Sequence, residues 1–579
     1  MKIEILAKQM KLRSLRKGLN RIFSISTSLP LGGLGWACSC LLLCSCTDKW
    51  NDHYTEDTEL NGTLWSAMQS NSELSNFVRV VQAVGYDARL NSSQMFTVFA
   101  PTNANFSGAE ADLLVSRYQS ERQRGVREAD NQVVKQFVQN HIALFNRSVS
   151  ALTTDSITMM NGKYEVLTGQ KFGSTNILTS NQYHTNGVLY TLDRPEPYYA
   201  NVFEYLGQDG ETDSLYQFVS SFNHYEFDAA ESVPGDIVNG KTVYLDSVFH
   251  LSNSLLREYG YINREDSSYL VLAPTNQVWQ TLFDEYVNYF NYNDLTSKRD
   301  SMVLTHTRRA IADGTIFNLH AQKALADSAV STAYQRLYDN QPNYPDQRYY
   351  VYYNPNSAQG AFGGAESVQC SNGSVLKQSH WNIDKRESFF QEIKVEAEQI
   401  RYVDTIIQAR EPLSVRTVPV DNPFYGKVSG NNFIEAQPLS TASSTSVRYA
   451  IPDQLSNIGY DIYAVFVPAI AFDVNASDDS RLPCRVRFTI AYQEQDGTET
   501  TASLRNPSDN TVNYTTTPDV VDTVLVAGNY VFPTCALDID EPQVTLRVAS
   551  NLTSSMSSQY TRTLRLDCII LRPHEETEN

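Results

Sequence analysis

Phe96-Thr-Val-Phe-Ala-Pro-Thr-Asn-Ala-Asn-Phe106 recurs 173 residues later as Tyr269-Leu-Val-Leu-Ala-Pro-Thr-Asn-Gln-Val-Trp279, with Ala-Pro-Thr-Asn identical in both copies. Each copy reads as an apolar strand that stops at Pro101 or Pro274, because proline has no N–H for the ladder. Thr102-Asn103 and Thr275-Asn276 then offer side-chain oxygens to cap a helix N-terminus. The aromatic residue three positions after the Asn, Phe106 or Trp279, falls on the inward face of that helix.

Each copy has a matching prelude. Ser70-x-x-Glu73 reads as a capping box, with Leu74, Phe77, Val78 and Val81 at helical spacing and Gly85 as the stop. In the second copy Asp213 precedes Leu215, Phe218, Val219 and Phe222 at the same spacing. Each copy also closes alike, since Thr185-Asn186-Gly187-Val188-Leu189 and Ser371-Asn372-Gly373-Ser374-Val375-Leu376 read as tight Asn-Gly turns entering a strand.

This prelude, the strand ending Ala-Pro-Thr-Asn and the closing Asn-Gly strand together resemble the fasciclin (FAS1) domain. The resemblance implies two α+β modules, each a β-wedge with packed helices, over residues 59–197 and 198–396. The family places a His at a helix end, which His141 fits. In the second copy, aligning Ile311-Ala312 with Ile142-Ala143 puts Ala310 at that place, with His306 a turn earlier.

Beyond residue 397 the period changes. Cys484, Val486, Phe488, Ile490 and Tyr492 alternate with Arg485, Arg487, Thr489 and Ala491, and Leu564, Leu566, Cys568 and Ile570 repeat the pattern. Further strands are expected at 447–451, 463–467, 520–526 and 544–548. Short alternating strands between turn residues imply an antiparallel β-sandwich over 441–579, joined by a linker at 397–440. The run from Ser446 to Pro468 resembles galactose-binding-like modules, which implies carbohydrate binding.

The N-terminus speaks to compartment. Lys2, Lys8, Lys11, Arg13, Arg16, Lys17 and Arg21 precede a small-residue and apolar stretch from Leu29 to Leu43. These are the parts of a secretory signal, here residues 1–45. Leu43-Cys44-Ser45-Cys46 resembles a bacterial lipobox, which implies a diacylglycerol on Cys46; an ordinary cleaved signal is the alternative. Residues 46–58 form an acidic tether. An acidic stretch after a lipidated Cys resembles Sus-type lipoproteins, which implies surface display on the outer membrane of a Gram-negative cell.

The chain has 579 residues and a formal net charge of −19. An acidic balance of that size argues against a nucleic-acid partner, which would require a basic face. Gly235-Asp-Ile-Val-Asn-Gly-Lys-Thr242 matches the phosphate-loop spelling, but the strand-like Thr242–Val248 follows where a helix is needed, so it reads as a hairpin. The nine His are scattered, and Cys370, Cys484, Cys535 and Cys568 lack paired spacing. No metal and no cofactor is therefore expected. Asp473, Asn475, Asp478 and Asp479 offer hard oxygens for calcium but lack the loop Gly and distal Glu of an EF-hand, which favours a solvated loop. Alternation that turns Cys484 and Cys568 inward permits a disulfide, with free buried thiols as the alternative.

No residue set suggests catalysis. Tyr349, Tyr350, Tyr352 and Tyr353 lie in an insertion of the second copy, with Tyr350 and Tyr352 on one strand face and Tyr349 and Tyr353 on the other. They form either an aromatic ligand platform or one core face and one ordinary sheet surface. The fasciclin resemblance implies adhesion or protein interaction without catalysis. The Sus-type resemblance implies an accessory subunit beside a SusC/SusD-like TonB-dependent transporter, with a glycan or peptide as ligand.

Overall fold

The computed structural model describes residues 62–149, 154–238, 241–319, 327–334, 349–399, 403–407, 414–440 and 442–575. The signal, Cys46 and the tether lie outside them.

In the first module, α1 (Leu64–Ser70) and α2 (Ser75–Ala83) are followed by β1 (Phe96–Pro101), α3 (Gly108–Gln123), β2 (Ile142–Leu144), β3 (Thr154–Thr158), β4 (Tyr164–Thr168), β5 (Lys171–Phe172), β6 (Thr175–His184) and β7 (Gly187–Leu192). The strands form one sheet in the order β2-β1-β7-β6-β5-β4-β3. β1 and β7 pair in parallel, Phe96 opposite Gly187 and Pro101 opposite Leu192. Both are buried along their whole length, as a parallel pair covered on two faces requires. Phe96, Val98 and Ala100 join the cluster around Phe77, Val80 and Val81 of α2, while Phe99, Val188 and Tyr190 pack on the opposite face with Phe172. Each such fully buried aromatic side chain contributes about 1.5–3 kcal/mol of transfer free energy.

The second module repeats this plan. It contains α4 (Val202–Gln208), α5 (Asp213–Ser220), the ribbon strands β8 (Asn223–Val238) and β9 (Lys241–Asn253), β10 (Tyr269–Pro274), α6 (Asn276–Tyr286), α7 (Arg299–Ala312), β11 (Ile316–Asn318), β12 (Ser328–Tyr334), β13 (Tyr349–Tyr353), β14 (Glu366–Cys370) and β15 (Gly373–Gln378). β10 and β15 pair in parallel, Tyr269 opposite Gly373, in the same register as the first copy.

The shared Asn residues act differently from the expectation. Asn103 and Asn276 each accept the backbone N–H of an earlier helix, from Asn76 at 3.1 Å and Ser214 at 3.0 Å. They therefore cap the prelude helix instead of the following one. Ser70 ends α1 and forms no capping box; Asn71 caps that turn through the Glu73 amide. α3 begins at Gly108 behind its N-cap Ser107, so Phe106 precedes the helix although it is buried. In the second copy Thr275 does cap α6, with Trp279 buried on its inner face.

Asn186 and Asn372 are the turn residues, and each glycine after them opens the strand. The Asn186 amide accepts from Leu64 N and donates to the Leu90 and Ser92 carbonyls, as Asn372 does with Val202, Ile262 and Arg264. A Cβ on Gly187 would stand 2.0 Å from the Phe96 carbonyl oxygen, and on Gly373 1.8 Å from that of Tyr269.

The phosphate-loop spelling is a hairpin, with Val238 opposite Lys241 and Ile237 opposite Thr242; its tip, 239–240, lies outside the described residues. The strand register also corrects the alignment at His141. Val98 faces Ile142 and Val271 faces Ile316, so Thr315, not Ala310, is the counterpart of His141.

Residues 397–440, expected as a linker, supply strands. β16 (Ile393–Glu396), β17 (Val403–Ile407), β18 (Ser414–Thr417) and β19 (Asn432–Ala436) precede β20 (Ser446–Ile451), β21 (Gly459–Phe466), β22 (Arg485–Gln493), β23 (Glu499–Ser503), β24 (Tyr514–Thr515), β25 (Asp522–Val531), β26 (Val544–Ser550) and β27 (Leu564–Pro573). One sheet runs β18-β19-β27-β21-β25 with β16 beside β27; the other runs β17-β20-β26-β22-β23 with β24 beside β22. Val486, Phe488 and Ile490 meet Ile462, Phe466, Ile569 and Leu571 in a core continuous with that of the second module.

Candidate functional site

Tyr350 and Tyr352 are buried, and Tyr349 and Tyr353 lie on the opposite, exposed face of β13. A Cβ on Gly314 would meet the Tyr352 hydroxyl and the Tyr350 ring, so these two rings press onto bare backbone. Tyr350 further lines a cavity with Phe290, His306, Arg309 and Phe389, closed from the sandwich by Leu455 and Leu537. Tyr350 and Tyr352 are core and offer no platform. Tyr353, 74% exposed, and Tyr349, whose ring packs edge-on against Tyr334 at 5.4 Å, remain accessible.

A feature that sequence reasoning missed is the ribbon of β8 and β9, which among the described residues pair only with each other. Tyr225 stands opposite Leu251, and Phe227 shares their face by strand alternation. Their exposures are 60%, 59% and 42%. On the other face of β8, His224 and Glu226 pair at 3.0 Å beside Arg257. The signal is in the sequence, since Tyr225, Phe227 and Leu251 alternate with charged or polar neighbours.

The modules are held against one another by built contacts. Lys163 Nζ reaches Glu204, Glu265 and Ser371 at 3.0, 2.6 and 3.0 Å. On the other side, Tyr292 Oη donates to the Leu537 carbonyl at 3.1 Å, and the backbones of Tyr289, Asn291 and Asp294 bond to Ser456, Cys535 and Gln495. His306 lies 3.5 Å from Asp538 between the Phe290 and Tyr292 rings.

His141 is fully occupied by backbone. Its Nε2 accepts the Glu196 N–H at 2.9 Å, so Nδ1 carries the proton and donates to the Phe137 carbonyl at 2.8 Å. Burial pushes its pKa down to about 4. A neutral imidazole with both nitrogens engaged is a structural bracket. Glu165 and Glu196 lie side by side against Gly173, where a Cβ would stand 2.6 Å from an oxygen of each. Burial first, then the Glu196 charge, raises Glu165 to about 7.

Cys484 and Cys568 form no disulfide, and both are free and buried. The reason is a bulge. β27 pairs with β21 through Cys568 opposite Val465 and Leu566 opposite Phe466, which skips Asp567. Alternation reverses there, so Ile569 and Leu571 face the core that contains Cys484, and Cys568 turns to the other side of the sheet. Asp473, Asn475, Asp478 and Asp479 are exposed, and Asp473 accepts the Asn475 amide in a local turn. Among the described residues, the donors close enough to share a metal are instead Glu396, Asp567 and Cys568.

The fasciclin domain family model matches residues 72–195, the first module. No curated protein matches the chain. Among solved structures, the FAS1 domain pair from the insect cell adhesion molecule Fasciclin I is similar at 12% identity over 54% of this chain and 98% of that chain, with a TM-score of 0.18. The xylan-binding domain from Paenibacillus barcinonensis Xyn10C is similar at 10% identity, 32% of this chain and 96% of that one, TM-score 0.20. The C-terminal family 22 carbohydrate-binding module of Clostridium thermocellum Xyn10B is similar at 11% identity, 31% and 99% coverage, TM-score 0.17. Likenesses of this size transfer neither ligand nor activity.

Proposed function

We propose that the protein is a non-enzymatic binding module of the cell surface, anchored through a lipid on Cys46 to the outer membrane and acting in adhesion or protein interaction. Its place is that of an accessory subunit beside a SusC/SusD-like transporter. The observation that carries this reading is the ribbon. It presents Tyr225, Phe227 and Leu251 in one apolar row on an otherwise acidic chain, and rigid aromatics of that kind give contact area at small entropic cost. The fasciclin family match at residues 72–195 and the lipobox-like N-terminus support display outside the cell. Among the described residues no helix is long and apolar enough to cross a membrane.

The test is a pull-down from detergent-solubilised membranes with wild type and a Tyr225→Ser/Phe227→Ser/Leu251→Ser variant. The variant is expected to lose co-purifying transporter subunits while melting unchanged. Recovery of the wild-type chain alone would sink the assembly role, and turnover of a polysaccharide by purified protein would sink the non-enzymatic one.

A second reading, direct glycan binding by the sandwich or the tyrosine insertion, draws on the exposure of Tyr349 and Tyr353. A glycan array signal that disappears in Tyr349→Ala/Tyr353→Ala would favour it.

A further inference from the structure

The ribbon strands β8 and β9 are 16 and 13 residues long, and among the described residues no third strand joins them. A two-stranded sheet by itself is at best marginally stable in water. Its base is nonetheless well held. The Asn253 side chain donates to the Val219 carbonyl and to Asn223 Oδ1, both at 2.8 Å, and Tyr225 lies against Arg127 of the first module. From Asn223 opposite Asn253 to Asp228 opposite Val248 the pairing runs without a slip. The ribbon is thus a strand pair presented on a fixed base, with its outer edges open.

The two edges differ. Beyond Asp228 the register shifts three times, and Pro234 lacks the N–H that a ladder needs, so the β8 edge is interrupted in the way that protects exposed strands. β9 has neither proline nor glycine from Lys241 to Asn253 and is rich in Thr, Val, Tyr and Phe, residues that favour strands. Charge narrows the partner further. The ribbon sequence carries Glu226, Asp228, Glu231, Asp236 and Asp246 against Lys241. Arg257 reaches Glu226 at 3.3 Å, and Arg127 is engaged by Asp130 at 2.7 Å, so the excess of carboxylates remains. A ribbon from a second copy would set like charges side by side, which is unfavourable.

We propose that the outer edge of β9 takes an extended, lysine- or arginine-bearing segment of a partner protein as a third strand. The proposal rests on the reading of the ribbon as the docking surface and adds to it the partner's conformation and charge. In strand addition the main-chain hydrogen bonds supply affinity and alternate side chains supply selectivity. Every second side chain of the added strand falls on the face of Tyr225, Phe227 and Leu251 and widens their apolar row. The intervening side chains fall on the face of Glu226 and Asp228, where Lys or Arg meets opposite charge. The partner segment is therefore amphipathic with a period of two, apolar on one face and basic on the other.

The experiment titrates the full chain with two synthetic decapeptides, one alternating Lys-Val and one alternating Glu-Val, and follows amide hydrogen exchange in the complexes. The Lys-Val peptide is expected to bind saturably and to slow exchange in β9 more than in β8. Its affinity should fall about tenfold in Asp228→Lys/Glu231→Lys and at high salt. No binding, equal binding of both peptides, or binding that leaves β9 exchange unchanged overturns the proposal. The reading of the ribbon as docking surface fails separately, when Tyr225→Ser/Phe227→Ser/Leu251→Ser keeps its membrane partners. If that variant loses them while the Lys-Val peptide does not bind, the docking surface stands and strand addition is overturned.

Discussion

Lys163 Nζ of the first module lies 2.6 Å from a carboxylate oxygen of Glu265 in the second, with both side chains nearly withdrawn from water. Glu204 completes the site at 3.0 Å, and Glu204 is also the reciprocal partner of Asn201 in the capping box that starts α4. One ammonium thus joins the first module to the start of the second. Lys163→Met leaves Glu265 buried without its Lys163 counter-charge and Glu204 with Lys135 alone, a change that costs about 3–5 kcal/mol where such buried pairs are broken. The expected outcome is a lower urea midpoint and a larger radius of gyration by small-angle scattering. A variant as stable and as compact as wild type would remove the junction from the account.

Acid should open the same junction. Burial works to raise the Glu204 pKa, but the Lys163 charge and the Lys135 and Tyr198 hydrogen bonds outweigh it and hold it at about 2. A depressed carboxyl contributes stability that is present above its ordinary value of 4.5 and is lost as pH falls toward 2. Unfolding followed between pH 5 and 2 should show this slope, and Glu204→Gln should flatten it while lowering stability at pH 7.

Glu165 predicts the opposite sign. Its pKa is raised to about 7 by burial and by Glu196, so the folded protein holds that proton more tightly than the unfolded chain. The stabilisation is complete below pH 4.5 and is lost as pH rises through 7. Glu165→Gln mimics the protonated form and should raise the melting temperature at pH 8 with little effect at pH 4. A variant that melts below wild type at pH 8 would contradict the raised Glu165 carboxyl.

The duplicated strands were legible because their signal is local: a proline stop, an Asn and a buried aromatic within eleven residues. β20, β21, β22, β25 and β26 were legible for a like reason, as short runs rich in β-branched and aromatic residues bounded by turn residues. Failure came where the partner is remote. β16 to β19 are short strands whose place depends on β27 and β20, so their sequence lacks an independent pattern. At Asp567 a single bulged residue reverses the alternation, which displaced Cys568 from the core and hid the carboxylate cluster. Lys163 finds partners 41 and 102 residues away, which spacing rules do not reach.

Asn103 and Asn276 test whether the two modules are physically as well as formally repeated. Asn103 accepts from Asn76 N and donates to the Ser72 carbonyl and Ser75 hydroxyl; Asn276 accepts from Ser214 N and donates to the Gly210 carbonyl and Asp213. Each ties the residue after the proline-stopped strand to the prelude helix, so an alanine at either place uncaps that helix and frees the strand end together. Removing such a cap costs about 0.5–2 kcal/mol. The sites lie in separate cores and share no partner, so the double variant should lose the sum of the two single losses to within about 0.5 kcal/mol. Denaturant titration of Asn103→Ala, Asn276→Ala and the double variant measures this. A loss confined to one copy would mean that the identical Ala-Pro-Thr-Asn strings carry different loads, and a double loss well beyond the sum would mean that the modules unfold as one body through the Lys163 junction.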